Sequence, residues 1–208
     1  MPQLVVPIFP LPDITFFPGT VLPLHVFEAR YRAMLADAVG RDRRLCVVQL
    51  RPGYEPDYAA KPAVYDVAGA GEIVAATRLT TGRYDIALRG DMRIRILREL
   101  PSDTLYRLVR AESLDDIPPS MDVSPVLDRI RASCRGLLEA LGRPANLLDA
   151  ALASDLPPGT VADRIASAVL PSAVIRQELL ETLDVTRRLE RVAQALDELV
   201  RDLKGPRG

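Results

Sequence analysis

The sequence is short of the residues that most catalytic chemistry draws on. It contains a single histidine, His25, two cysteines, Cys46 and Cys134, and two lysines, Lys61 and Lys204. A nucleophile activated by imidazole would have to use His25, which lies in Pro23-Leu24-His25-Val26-Phe27 at the end of a strand-like stretch. No G-x-S-x-G turn is present to hold a serine. The cysteines are far apart, and neither H-x-x-x-H nor C-x-x-C spacing occurs, so no metal site is expected. A serine–lysine dyad needs a buried lysine of lowered pKa; Lys61 falls in a loop and Lys204 in the terminal tail. There is no G-x-x-x-x-G-K-[ST], hence no P-loop. Gly69-Ala70-Gly71 lacks the third glycine of a dinucleotide fingerprint and lies among strands, which suggests a bulge or a close backbone approach instead. No apolar run reaches 18 residues, and the proline-broken N-terminus has no basic n-region, so neither a membrane span nor a signal peptide is expected. These absences lead to the expectation of a cytoplasmic, non-enzymatic protein without cofactor or metal, its two cysteines being buried free thiols.

Charge is balanced but unevenly spread. The formal net charge is −1, so no overall field draws the chain to nucleic acid or an acidic membrane. Residues 1–111 carry 15 basic and 12 acidic side chains and residues 112–208 carry 12 and 16, which suggests two regions. The densest basic stretch, residues 83–110, holds seven arginines against four acids. Alternation places Arg83, Arg89, Arg93 and Arg95 on one side of a meander, an alternative RNA-binding face. The strands lack the interleaved aromatics that stack on bases, which weighs against that reading.

The hydrophobic period divides the chain in the same place. Residues 3–9, 21–26 and 45–50 read as strands among many prolines. Phe27, Tyr31, Met34, Leu35 and Ala38 follow helical spacing, with Gly40 at the expected end, giving one inserted helix that buries Phe27 and Tyr31. Tyr84, Ile86 and Leu88 alternate with polar residues; after a Gly90-Asp91 turn, Met92, Ile94 and Ile96 do the same. A β-barrel or rolled antiparallel sheet of about six strands is expected over residues 1–115. From Asp116 the pattern turns helical. Asp115-Asp116 reads as solvated linker charge, Ser124-Pro125 as a capped helix start, Asn146 as the cap of a short helix, and Thr160-Val161-Ala162-Asp163 as a capping-box variant. Val185, Leu189, Val192, Leu196, Leu199 and Leu203 form a seam on a long last helix that ends a bundle over residues 116–208. The fold class is therefore α+β.

The blocks Ile8-Phe9-Pro10-Leu11-Pro12-Asp13, Phe17-Pro18-Gly19 and Leu22-Pro23-Leu24-His25-Val26-Phe27-Glu28-Ala29-Arg30-Tyr31 resemble the N-terminal signature of the Lon domain. Thr81-Gly82-Arg83-Tyr84, Ala87-Leu88-Arg89-Gly90 and Arg93-Ile94-Arg95-Ile96 are similar to its central hairpin, and Leu183–Glu190 resembles the segment that opens its last helix. The resemblance covers nearly the whole chain. It departs at Val67-Ala68-Gly69, where members often read Val-Gly followed by Thr or Cys. It implies a PUA-like barrel followed by a helical bundle, and a stand-alone module that recognises unfolded polypeptide without ATPase or peptidase parts. The expected binding residues are His25, Phe27, Tyr31, Tyr54 and Tyr58, rimming an apolar groove between barrel and bundle. The expected partners are unfolded or extended polypeptide segments, with a separate protease or chaperone as a further candidate, and no membrane. Oligomeric state stays open.

Overall fold

The computed structural model describes residues 3–58 and 60–204; the side chain of Lys204 lies outside the described residues. The chain divides into two compact units, Met1–Asp115 and Asp116–Gly208.

The first unit contains β1 (Gln3–Leu11), β2 (Val21–Val26), α1 (Ala29–Val39), β3 (Arg44–Gln49), β4 (Val67–Arg78), β5 (Tyr84–Leu100) and β6 (Arg107–Leu114). Five strands close a ring: β1 pairs β3, β3 pairs β4, β4 pairs β5, β5 pairs β6 and β6 returns to β1. Val6, Ile8, Cys46, Val48, Ala68, Ala70, Ile94, Val109 and Ala111 come from all five and fill the interior. The sheet is not wholly antiparallel, because β1 runs parallel to β3. A parallel pair needs a long crossover, and here it contains β2 and the inserted helix. Met34 and Leu35 of α1 are fully buried and pack on the outer wall of the ring against Phe9, Leu45, Ile73 and Leu88.

The expected turn at Gly90-Asp91 is absent. β5 runs unbroken through it for 17 residues and exchanges partners there. Residues before Gly90 pair with β2, and residues from Arg93 onward pair with β6. Along β4, Gly71 faces Gly90 and Ala70 faces Met92, so β5 holds one extra residue. This bulge reverses the alternation. Ile86 and Leu88 therefore face the α1 core, whereas Ile94 points into the ring.

The cause of the bulge is the segment between β1 and β2, which lies flat against the outer wall. A Cβ on Gly69 would meet Phe16 O at 1.8 Å, and one on Gly90 would meet Phe17 O at 2.2 Å. Only glycine lets backbone approach backbone so closely. Gly90 also donates its N–H to Thr20 O at 2.9 Å and accepts from the N–H of Gly19 at 2.9 Å. Phe16 and Phe17 are both fully buried, each contributing about 2–3 kcal/mol of hydrophobic burial.

The second unit contains α2 (Ser124–Ala140), a 3₁₀ segment (Ala145–Ala151), α3 (Pro158–Val169), α4 (Ala173–Glu181) and α5 (Val185–Lys204). Val185, Leu189, Val192 and Leu196 of the α5 seam are buried within this unit, while Leu203 emerges to solvent. Three expected caps differ. Ser124 donates its N–H to Asp122 Oδ1 at 2.9 Å and lies inside the helix. The Asn146 segment is 3₁₀ and has no side-chain cap. Helix α3 begins at Pro158, and Asp163 is turned inward instead of capping. Its carboxylate lies 3.3 Å from Nε of Arg188, which is fully buried. Asp116 is no solvated linker charge either. It takes a forked contact from Arg188, Nη1 to Oδ1 at 2.9 Å and Nη2 to Oδ2 at 2.5 Å. A parallel bridge between Ile117 and Asp184 fixes the same segment to the start of α5.

These contacts set the expected effects of four changes. Gly69→Ala destabilises the first unit by about 2–3 kcal/mol through overpacking, whereas Gly136→Ala, with open space around its Cβ, stabilises α2 by about 0.5–1 kcal/mol. Urea titration resolves the two, because all six tyrosines lie in the first unit and report it by fluorescence, while the helical circular dichroism signal follows the second. Arg188→Ala costs about 3–5 kcal/mol by removing the buried cation that faces Asp116 and Asp163. Arg188→Met combined with Asp116→Asn and Asp163→Asn recovers part of that loss in the same titration.

Candidate functional site

The five residues expected to bind polypeptide all belong to the first unit and fall into two groups. His25 ends the exposed row of β2. It pairs through Nδ1 with Asp85 Oδ1 at 2.6 Å, directly across the strand pair. Its ring stacks on Phe27, with centroids 6.4 Å apart and planes 27° apart. Phe27 does not bury its ring, contrary to the helical reading: it precedes α1 and is 59% exposed. The helical phase does not govern a residue outside the helix.

The second group is built around Arg30. Its guanidinium lies 4.6 Å from the centroid of Tyr31 and 5.4 Å from that of Tyr58, a cation held between two ring faces. Glu28 accepts from Arg30 Nε at 3.0 Å and from the Tyr58 hydroxyl at 3.0 Å. Tyr54 and Tyr58 flank a 3₁₀ turn at Glu55–Asp57, and their rings approach to 6.0 Å. Tyr31 is buried against Phe9, with ring centroids 4.3 Å apart. Burial pushes its hydroxyl up to about 12, against the pull of Arg30. Burial and the hydrogen bond to Glu28 raise the Tyr58 hydroxyl as well. Tyr31 is thus a core residue with an edge in the site, and the half-buried Tyr54 and Tyr58 form the surface of this second group.

A cavity of about 130 Å³ opens beside this cluster, lined by Arg30, Tyr31, Lys61, Glu99, Leu105 and Arg107 among others. Glu99 is desolvated, which alone would raise its pKa. Hydrogen bonds from Lys61 and Arg107 outweigh that and hold the carboxyl below its ordinary value. Arg107 also donates to Pro62 O at 2.9 Å, tying the loop before β4 to β6. Leu105, at the turn between β5 and β6, is 69% exposed. Lys61, Glu99, Leu105 and Arg107 carried no sequence signal of a shared site. Glu99 and Arg107 meet across the β5–β6 hairpin, and the loop before β4 brings Lys61 to them.

The four arginines of the alternative face do not share a side. Arg83 sits in the β4–β5 turn, its carbonyl accepting from Leu79 at 2.8 Å. Arg89 leaves one face and pairs with Glu72 at 2.7 Å. After the bulge, Arg93 and Arg95 leave the other face. Arg93, opposite Gly69, is directed toward the segment over that glycine and is 3% exposed. Arg95 pairs with Glu112 at 3.2 Å.

Both cysteines are buried and unbonded to each other. Burial raises both thiols, that of Cys134 to about 12. Among the described residues, no group of three His, Cys, Asp or Glu side chains is placed to hold a metal ion, and no helix is long and apolar enough to cross a membrane.

A five-stranded ring with one crossover helix, followed by a four-helix unit, defines an α+β protein with the architecture of Lon N-terminal domains. The N-terminal domain of Mycobacterium avium complex Lon protease superposes with a TM-score of 0.68 at 19% identity, covering 94% of this chain and 99% of that one. The Lon N-terminal domain protein from Xanthomonas campestris gives 0.66 at 23% identity, covering 92% and 98%. The family model of the ATP-dependent protease La (LON) substrate-binding domain matches residues 5–198, and the chain belongs to that family. Among curated relatives, Lon protease 2 of Myxococcus xanthus is 30% identical over 95% of this chain, and Lon protease of Anaeromyxobacter dehalogenans is 28% identical over 93%. The chain spans about a quarter of the length of these relatives, 24% and 23%.

The Glu99 cluster gives a pH signature. A carboxyl held low in the folded state contributes stability above its unfolded pKa and loses it as pH falls through the folded value. Glu99→Gln therefore flattens the acid limb of first-unit stability below about pH 4.5, the ordinary value for this group. Urea midpoints followed by tyrosine fluorescence across that range check it; parallel curves for both proteins would remove the cluster from the account.

Proposed function

We propose that the chain is a non-catalytic module that binds unfolded or extended polypeptide through the surface formed by His25, Phe27, Tyr54 and Tyr58. The observation that carries this reading is Phe27, an aromatic ring 59% exposed and braced from behind by His25. Exposed aromatics set among satisfied polar groups supply contact area at small entropic cost and tolerate many sequences. Family membership supports the reading, since the matched model describes a substrate-binding domain. A cytosolic location accords with two buried free thiols. In this role the module passes its bound segment to a protease or chaperone.

The test is capture of a disulfide-rich protein, reduced and blocked with iodoacetamide, against the same protein with its disulfides intact. The chain retains the unfolded form and not the folded one. Phe27→Ala weakens retention about three- to tenfold, the scale of one interface aromatic, and leaves the urea midpoint unchanged because the ring is not in the core. Equal retention of both forms, or none of either, would sink the proposal.

A further inference from the structure

The cavity beside the β5–β6 turn carries more positive charge than it neutralises. Arg30, Lys61 and Arg107 line it with a single carboxylate, Glu99, in a chain of net charge −1. Arg107 is fully committed, through Nε and Nη2 to Glu99 and through Nη1 to Pro62 O. Arg30 is not. Its Nε and one Nη serve Glu28 and the Tyr58 carbonyl, and its other Nη has no partner among the described residues. Lys61 is 73% exposed and among the described residues pairs only with Glu99, at 3.0 Å, which leaves two of its three ammonium protons available there. One donor is therefore rigid, clamped between the Tyr31 and Tyr58 rings, and the other swings on a flexible stem. Ser102 and Thr104 add hydroxyls to the lining, and Leu105 offers apolar surface beside them.

We propose that this cavity is a carboxylate-binding subsite for the extended polypeptide, with Arg30 and Lys61 as donors and Leu105 meeting the adjoining apolar residue. The proposal rests on the polypeptide-binding reading above. A monoanion fits the charge balance: it draws Lys61 partly from Glu99 without forcing two dense anions together, as a phosphate dianion would. The carboxylate comes either from a chain terminus or from an aspartate or glutamate side chain.

Fluorescence anisotropy with the full chain separates these sources. The probe is a ten-residue peptide of serine, leucine and tyrosine with a neutral N-terminal label, prepared as the free acid, as the C-terminal amide, and as the amide with one internal glutamate. The amide binds weakest, and a carboxylate form gains about five- to tenfold, as expected for a charge-assisted hydrogen bond to a partly buried cation. A gain for the free acid assigns the terminus; a gain for the glutamate peptide assigns the side chain. Lys61→Gln, at an exposed position that does not threaten the fold, cuts the gain about threefold. Equal binding of all three forms, or no binding of any while the alkylated unfolded protein is still captured, overturns the subsite alone. Loss of that capture as well overturns the reading beneath it.

Discussion

The carbonyl oxygen of Phe16 occupies the space that any side chain at residue 69 would need, and the first unit is arranged around that contact. Glycines at 69 and 90 open a shallow track on the outer wall of the ring, and the backbone of Phe16 and Phe17 lies in it. Thr15 secures the track's entrance by donating its hydroxyl to Gln49 Oε1 at 2.9 Å, where β3 ends. Phe16 then reaches the core beneath α1. With the segment held there, β2 must emerge beside the first half of β5, and α1 must begin near Phe9. The aromatic surface and the cavity stand where they do because the track fixes both chain directions.

The alternation of apolar residues was enough to reveal the strands, the single inserted helix and the change to a helical second half. Those are local signals, and each residue carries its own share. The bulge at Asp91 was not legible, because Met92, Ile94 and Ile96 continue the even-numbered pattern of Ile86 and Leu88 without a break. Only the registration of β4, set by Gly71 and Ala70, shows that the two halves face opposite ways. A face assigned by counting along one strand therefore failed at the arginines. Within the candidate site, Glu28 and Arg30 lie two residues apart, and their contact is local. Arg107 and Pro62 are 45 residues apart, and no periodicity points from one to the other.

The two units solve the same problem with different chemistry. The ring closes its polar backbone through strand pairing, so its cohesion needs few buried charges. The helical unit must instead fix a strand-like entry segment onto helix ends with a single bridge, Ile117 to Asp184, and needs a further fixture beside it. Arg188 supplies that fixture: it receives Asp116 and Asp163 and also donates to Thr182 O at 2.8 Å. Such a network adds little net stability over a well-packed apolar core, because desolvating three charges offsets most of their attraction. It does specify one geometry, since Gly159 leaves room for the guanidinium and a Cβ there would meet Nη2 at 2.8 Å. The segment at Asp116 and Ile117 is therefore placed by the Arg188 network together with the Ile117–Asp184 bridge.

A surface meant to accept many polypeptide sequences must bind weakly and release. On the proposed reading, the first unit meets that demand through the prior pairing of its charges. A bare buried guanidinium would bind any anion tightly and pay heavily for its own desolvation, whereas Arg30 and Lys61 already have carboxylate partners. An incoming carboxylate on the proposed reading exchanges or shares a partner instead of creating a new ion pair, so the gain is a fraction of a full pair. On the same reading the exposed ring of Phe27 and the half-buried ring of Tyr54 act alongside it without directional demands. Modest polar preference added to nonspecific aromatic contact is the combination that distinguishes unfolded chains, which expose both, from folded surfaces, which seldom present an extended apolar segment next to a free carboxylate.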